Sequence, residues 1–138
     1  MYFRIYLILL PVMTKPCRFC NLSSTDIVIA NELAVVSRDS YPVSPGHTLV
    51  IPKRHVGSFF DTTTEERLAL MELIDQAKLA LDREFHPAAY NLGLNDGPAA
   101  GQSIPHVHFH LIPRYEGDRT DARGGVRWVL PEKAKYWK

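Results

Sequence analysis

The run 105–114, PHVHFHLIPR, constrains this 138-residue chain more than any other part of it. His106, His108 and His110 stand at every second position. That spacing scatters side chains around a helix but aligns them on one face of an extended strand. Val107, Phe109 and Leu111 then occupy the opposite face and predict a core beneath a histidine-lined site. On a flat strand adjacent histidines lie about 6.6 Å apart and the outer two about 13 Å apart, so one metal ion cannot easily gather all three. The row must divide its labour.

Length suits a single domain with a real core. Sixteen Lys and Arg against fifteen Asp and Glu leave a net charge of +1, which supplies no whole-chain field for nucleic acid or a membrane surface. The apolar run 5–10, IYLILL, is far short of the ~20 residues a bilayer span needs, and no small-residue cleavage site follows it. Residues 1–13 are therefore expected to be a dispensable extension or an edge strand of a cytoplasmic protein. The working domain is expected at 14–114, with a tail at 115–138.

Residues 27–30 and 33–36 are short β-branched runs around Asn31 and Glu32, which predicts a hairpin. Turn formers crowd the loop 39–46, and a third strand is expected over 47–51, stopped by Pro52. Thr62, Thr63, Thr64, Glu65 and Glu66 open a long helix, since threonine caps the first amides and glutamate favours the positive end. Leu70, Ile74, Ala77 and Leu81 form its buried stripe, widened by Leu73 and Ala80. Pro87 disfavours helical geometry at His86 and ends it. A strand over 89–94, a loop over 95–103 and the histidine strand complete an α+β domain around an antiparallel sheet. Pattern does not decide the structure of the tail.

Three resources could carry chemistry. The loop before the histidine strand offers Asn95 at one end and Gly101, Gln102 and Ser103 at the other. Short donors and a close backbone approach beside imidazoles suit an anionic oxygen. The histidines themselves can act as nucleophile, base or charge-stabilising partner near neutral pH, and a neutral imidazole can hold a phosphoryl group as an N–P adduct. Lastly, Cys17 and Cys20 form a C-x-x-C pair, half of many tetrahedral zinc sites. The other two ligands would come from His47, His55, His86 or the strand row. A redox pair is the rival reading, but it wants a helix to open directly after the motif, and residues 21–25 do not supply one.

The run 106–112 resembles the motif of the histidine triad superfamily. The match extends over 95–104 (NDGPAAGQSI), Pro113 and Arg114, and over 45–55 (PGHTLVIPKRH). It is similar to bacterial histidine triad proteins and to the fragile-histidine-triad dinucleoside polyphosphate hydrolases, and it spans about 17–114. The resemblance implies a histidine triad fold with an antiparallel sheet of about five strands, one long helix and a short one. It implies a homodimer, and a hydrolase or transferase acting at the α-phosphate of a dinucleoside polyphosphate or nucleoside phosphoramidate. His108 then corresponds to the nucleophile, His110 to its phosphate-contacting partner, and Ser103 and Gln102 to donors of a phosphate loop that includes Gly101. Asn95 lies near the α-phosphate, Asp39 at the ribose, and His47 behind the triad. In zinc-bearing relatives, including the galactose-1-phosphate uridylyltransferase branch, the ligands correspond to Cys17, Cys20, His55 and His106. The tail 115–138 departs from that of the animal hydrolases, which leaves the substrate open. Two other functions stay in view: a purine nucleotide-binding module without turnover, and a plain metal-binding protein. Within the enzyme reading, inorganic phosphate could replace water as acceptor.

Overall fold

The computed structural model describes residues 16–138; the extension expected at 1–13 lies outside them. Five strands form one antiparallel sheet: β1 (Ile27–Ala30), β2 (Ala34–Arg38), β3 (Thr48–Pro52), β4 (Ala89–Leu94) and β5 (Phe109–Arg114). Their spatial order is β1-β2-β3-β5-β4. Helix α1 (Thr64–Phe85) connects β3 to β4, and a short α2 (Pro131–Ala134) lies in the tail. The expected α+β fold is the observed one.

Local chemistry explains the element boundaries. The Asn31 side chain accepts the backbone N–H groups of Leu33 and Ala34, at 3.2 and 2.9 Å, and so turns β1 into β2. Strand β2 runs two residues past the expected 33–36, because Ser37 and Arg38 find partners in Leu49 and Thr48. Strand β3 likewise keeps Pro52, which needs no ladder donor at a strand end and pairs with Ala34. Thr63 and Glu66 form the reciprocal capping box at the start of α1. At its other end His86 takes the left-handed conformation at φ 51° just before Pro87.

Alternation sorts the core into two layers. Ala34, Val36, Val50, Phe109 and Leu111 face α1 and meet its Leu70, Leu73, Ile74, Ala77 and Leu81. Val35, Leu49 and Ile51 face the other way and pack on Phe19. His110 pairs with Leu49 across β3 and β5, so the histidine row belongs to the face opposite the helix. Under the C-terminal end of α1 the chain passes so closely that a Cβ on Gly46, at φ +83°, would lie 2.9 Å from Leu81 Cδ2.

Glu66 does more than cap. Its carboxylate accepts Arg54 Nε and Nη2 at 2.6 and 2.8 Å as well as the Thr63 N–H at 2.9 Å. These bonds, led by Arg54, hold its pKa down at about 2 against an ordinary 4.5. A carboxylate with a lowered folded-state pKa contributes stability above its unfolded value and loses it as pH falls through the folded one. Glu66→Gln should therefore lower the midpoint of thermal unfolding at pH 7 by a few degrees, on the order of 1 kcal/mol given the half-exposed arginine. It should also flatten the loss of stability between pH 4.5 and 2. Parallel acid limbs in the two proteins would count against this reading.

Candidate functional site

A short 3₁₀ turn, Arg18–Cys20, carries the cysteines, and its buried Phe19 anchors it to the sheet. The turn brings Cys17 and Cys20 to His55 and His106, whose donor atoms all lie within 4.8 Å of one another. Cys17 Sγ and Cys20 Sγ lie 3.4 and 3.6 Å from His106 Nδ1, Cys20 Sγ lies 3.2 Å from His55 Nδ1, and the two Nδ1 atoms are 3.2 Å apart. Tetrahedral bonds of ~2.3 Å to sulfur and ~2.0–2.1 Å to nitrogen require about 3.5 Å between N and S and about 3.3 Å between the nitrogens. Four of the six edges of such a tetrahedron are already close to these lengths, and the other two are within 4.8 Å. His106 is fully buried, and its Nε2–H donates to the Pro52 carbonyl at 2.8 Å, which turns an Nδ1 lone pair toward the cluster. Burial lowers the His106 pKa, so the ring is a neutral donor.

His108 and His110 sit on a differently ordered set of bonds. Only His110 belongs to the paired part of β5, because β3 reaches no further along it than Phe109. His106 and His108 lie on the extended segment before the strand, where the Val107 N–H bonds to the Val56 carbonyl instead. The expected alternation survives there, but both faces are covered: His108 is only 6 % exposed. His108 Nδ1–H donates to the His106 carbonyl at 2.8 Å, which leaves the Nε2 lone pair unprotonated and available. On the far side, the Val43 N–H donates to His47 Nδ1 at 3.2 Å. The His47 proton then sits on Nε2 and is given to His110 Nδ1 at 2.9 Å. His110 in turn presents an Nε2–H.

Asp39 supports this chain, its Oδ2 lying 3.5 Å from His47 Nε2 and 4.0 Å from His110 Nδ1. Asp39, His47 and His110 are close enough to invite a metal reading. The proton that Val43 forces onto His47 Nε2 argues for a hydrogen-bonded relay instead. Burial lowers the pKa of both rings: that of His47 against the pull of Asp39, and that of His110 to about 4 with help from His108 and His47. His110 is thus neutral at pH 7 in the absence of an anion.

A cavity of ≈ 280 Å³ opens over these groups, and Asp39, Ser103, His108 and His110 all line it. Arg18, Phe19, Ser40, Tyr41, Leu49 and Ile104 complete its wall. Phe19 was missed as a site residue, although as a middle residue of the C-x-x-C turn it had to point away from the cysteines. Its ring sits 4.9 Å from that of His108, edge-on. Gln102 does not line this cavity: its side chain accepts the Gly97 N–H at 2.7 Å and donates to the Gly57 carbonyl at 2.8 Å, bracing the loop. Gly101, at φ +90°, caps the short 3₁₀ turn Pro98–Ala100 of the same loop. Asn95 lines a second cavity, on the β4 side of His110.

An antiparallel sheet backed by one helix, with alternating histidines on its open face and a cysteine–histidine cluster at their head, defines a histidine-triad protein. The chain belongs to the HIT domain family, which matches residues 22–117. It is 38% identical over 107 residues to an uncharacterized HIT-like protein of Mycoplasma genitalium, covering 75% of this chain and 76% of that one. It is 42% identical over 80 residues to the asymmetrical bis(5'-nucleosyl)-tetraphosphatase of Schizosaccharomyces pombe, covering 58% of this chain and 44% of that one. A Zn-bound histidine triad family protein from Mycobacterium smegmatis superposes with a TM-score of 0.69 at 32% identity, covering 77% and 80% of the two chains. Other relatives include a bis(5'-adenosyl)-triphosphatase and an AP-4-A phosphorylase. No helix among the described residues is long and apolar enough to cross a membrane.

Proposed function

We propose that this chain is a nucleotidyl hydrolase that cleaves at the α-phosphate of a dinucleoside polyphosphate or nucleoside phosphoramidate. The observation that carries this reading is the tautomer of His108. Its Nδ1–H is held by the His106 carbonyl, and its ring lines a cavity with Asp39, Ser103 and His110. Nε2 forms the bond to phosphorus while the bond from phosphorus to the leaving oxygen or nitrogen breaks. A nucleoside phosphate departs as an anion and needs no proton, whereas an amine takes one from solvent, and the water that attacks in the second step returns it. His110 Nε2–H and Ser103 hold the phosphoryl oxygens, and Asp39 is placed for the ribose. Water then restores His108 by forming a P–O bond as the N–P bond breaks. An incoming phosphate raises the pKa of His110 and strengthens its hydrogen bond.

Cys17, Cys20, His55 and His106 would hold zinc, closed by four protein ligands and therefore structural. A homodimer fits the exposed Leu68, Met71 and Leu79 of α1 and the free edge of β4. The deciding experiment is a product profile on diadenosine polyphosphates and adenosine 5'-phosphoramidate, with and without inorganic phosphate. Release of AMP that does not depend on phosphate supports the hydrolase. Phosphate-dependent release of ADP makes it a phosphorylase. Binding of AMP without turnover leaves a nucleotide-binding module, and no binding at all leaves a metal-binding protein.

A further inference from the structure

The cavity over His108 holds one charged side chain that the chemistry leaves unused. Beside Ser103, His108 and His110 its wall carries Arg18, Phe19, Ser40, Tyr41, Leu49 and Ile104. The short stretch 39–41 orders that wall. Asp39 leans on His47 and His110, its Oδ2 lying 3.5 and 4.0 Å from their ring nitrogens. The next residue, Ser40, accepts a hydrogen bond from Arg18 Nη2 instead. The wall therefore passes from imidazoles, through a carboxylate, to a guanidinium.

Protein groups satisfy little of that guanidinium. Ser40 takes a single hydrogen of Nη2, and the other still completes a two-pronged fork with either Nε or Nη1. Among the described residues Arg18 enters no ion pair. Asp39, the carboxylate in the same wall, is engaged elsewhere: its Oδ1 accepts the Tyr41 N–H at 2.8 Å while its Oδ2 faces His47. Apolar side chains make up much of the remaining lining, with Phe19 and Leu49 buried and Ile104 packed against their cluster. A lone anion would satisfy the fork but waste the apolar surface. A flat ring body with adjacent acceptors on its rim satisfies both.

From this, and resting on the nucleotide site proposed above, we infer that Arg18 reads the base of the bound nucleotide and selects a 6-oxopurine, guanine or hypoxanthine, over adenine. O6 and N7 of such a base are both acceptors and match the fork, whereas adenine turns its N6 amino donor toward it. The apolar side chains take the ring faces, and the histidine end keeps the phosphoryl group. Arg18 is thus a specificity-determining residue set inside the cysteine turn.

Calorimetric titration of the full-length protein with GMP, IMP and AMP tests this. GMP should bind about tenfold more tightly than AMP, within the range that one bidentate base contact discriminates. IMP keeps O6 and N7 but lacks the 2-amino group, so it should follow GMP. Arg18→Ala removes the fork and should bring the ratio of GMP to AMP affinity close to one. Arg18→Gln should turn the ratio in favour of AMP, because a carboxamide pairs with adenine N6 and N7. A merely disturbed cysteine turn has no means of inverting a preference. Equal affinities for the three nucleotides, IMP that follows AMP, or a GMP preference that survives Arg18→Ala would overturn the inference while leaving the nucleotide site intact. Binding of none of the three would remove the nucleotide reading itself, and this inference with it.

Discussion

His108→Ala is expected to abolish turnover, by about 10⁴–10⁶-fold in kcat, the scale on which enzymes lose activity when a nucleophile is removed. The same protein should still bind AMP, because Asp39, Ser103 and His110 line the cavity independently of the missing ring. His106 is committed to the cysteine cluster and His110 Nδ1 to His47, so His108 Nε2 is the one row nitrogen ordered to form a covalent bond. Rapid quench with an α-labelled substrate should trap a nucleotidyl group on it, labile in acid and stable in base. His110→Ala should cost less, about 10²–10⁴-fold, as loss of one hydrogen-bonding partner of the developing charge does. Activity retained in His108→Ala but lost in His110→Ala would reverse the two roles. Activity retained in both would remove the row from catalysis altogether.

Much of this arrangement was legible in the residues because it rests on local rules. Alternation at His106, His108 and His110 needed only an extended backbone, and extended backbone persists even where the ladder to β3 has ended. The capping box at Thr63 and Glu66 and the stop at Pro87 are likewise properties of short segments. What escaped depends on partners distant in sequence. Strand β2 reaches Arg38 because β3 offers it Thr48, which no pattern within 33–38 records. The carbonyl that accepts the Gln102 side-chain amide belongs to Gly57, 45 positions away. The role of Phe19 appears only when the cysteine turn is docked against His108. Asn95, expected near the α-phosphate, lines a cavity with His110 and His47, while Ser103 at the other end of the loop lines the cavity that holds His108. The tail could not be read at all. Its order comes from arginines lying over Trp128, Trp137 and Tyr136, contacts without any helical or strand period.

Removing the cysteines is expected to strike stability harder than chemistry. Protein purified without chelator should contain about one zinc per chain. Cys17→Ser combined with Cys20→Ser should leave it metal-free. The cluster ties the Arg18–Cys20 turn to His55, three residues past β3, and to His106, ahead of β5, so its loss frees three segments at once. In the metal-free state two imidazole nitrogens face each other at 3.2 Å, and the His106 ring, pinned through Nε2 to Pro52, cannot turn away without giving up that bond. The binding free energy of a closed site is largely folding free energy. A loss of about 3 kcal/mol, or ~10 °C in Tm, is a modest share of it. Catalysis is touched one step removed. The His106 side chain belongs to the cysteine–histidine cluster while its carbonyl fixes the His108 tautomer, so loosening the first perturbs the second without deleting the nucleophile. Surviving protein should accordingly keep its substrate preference and the acid-labile adduct, at a reduced rate. A metal-free double variant that melts where the parent does would show that the four side chains converge for some reason other than an ion.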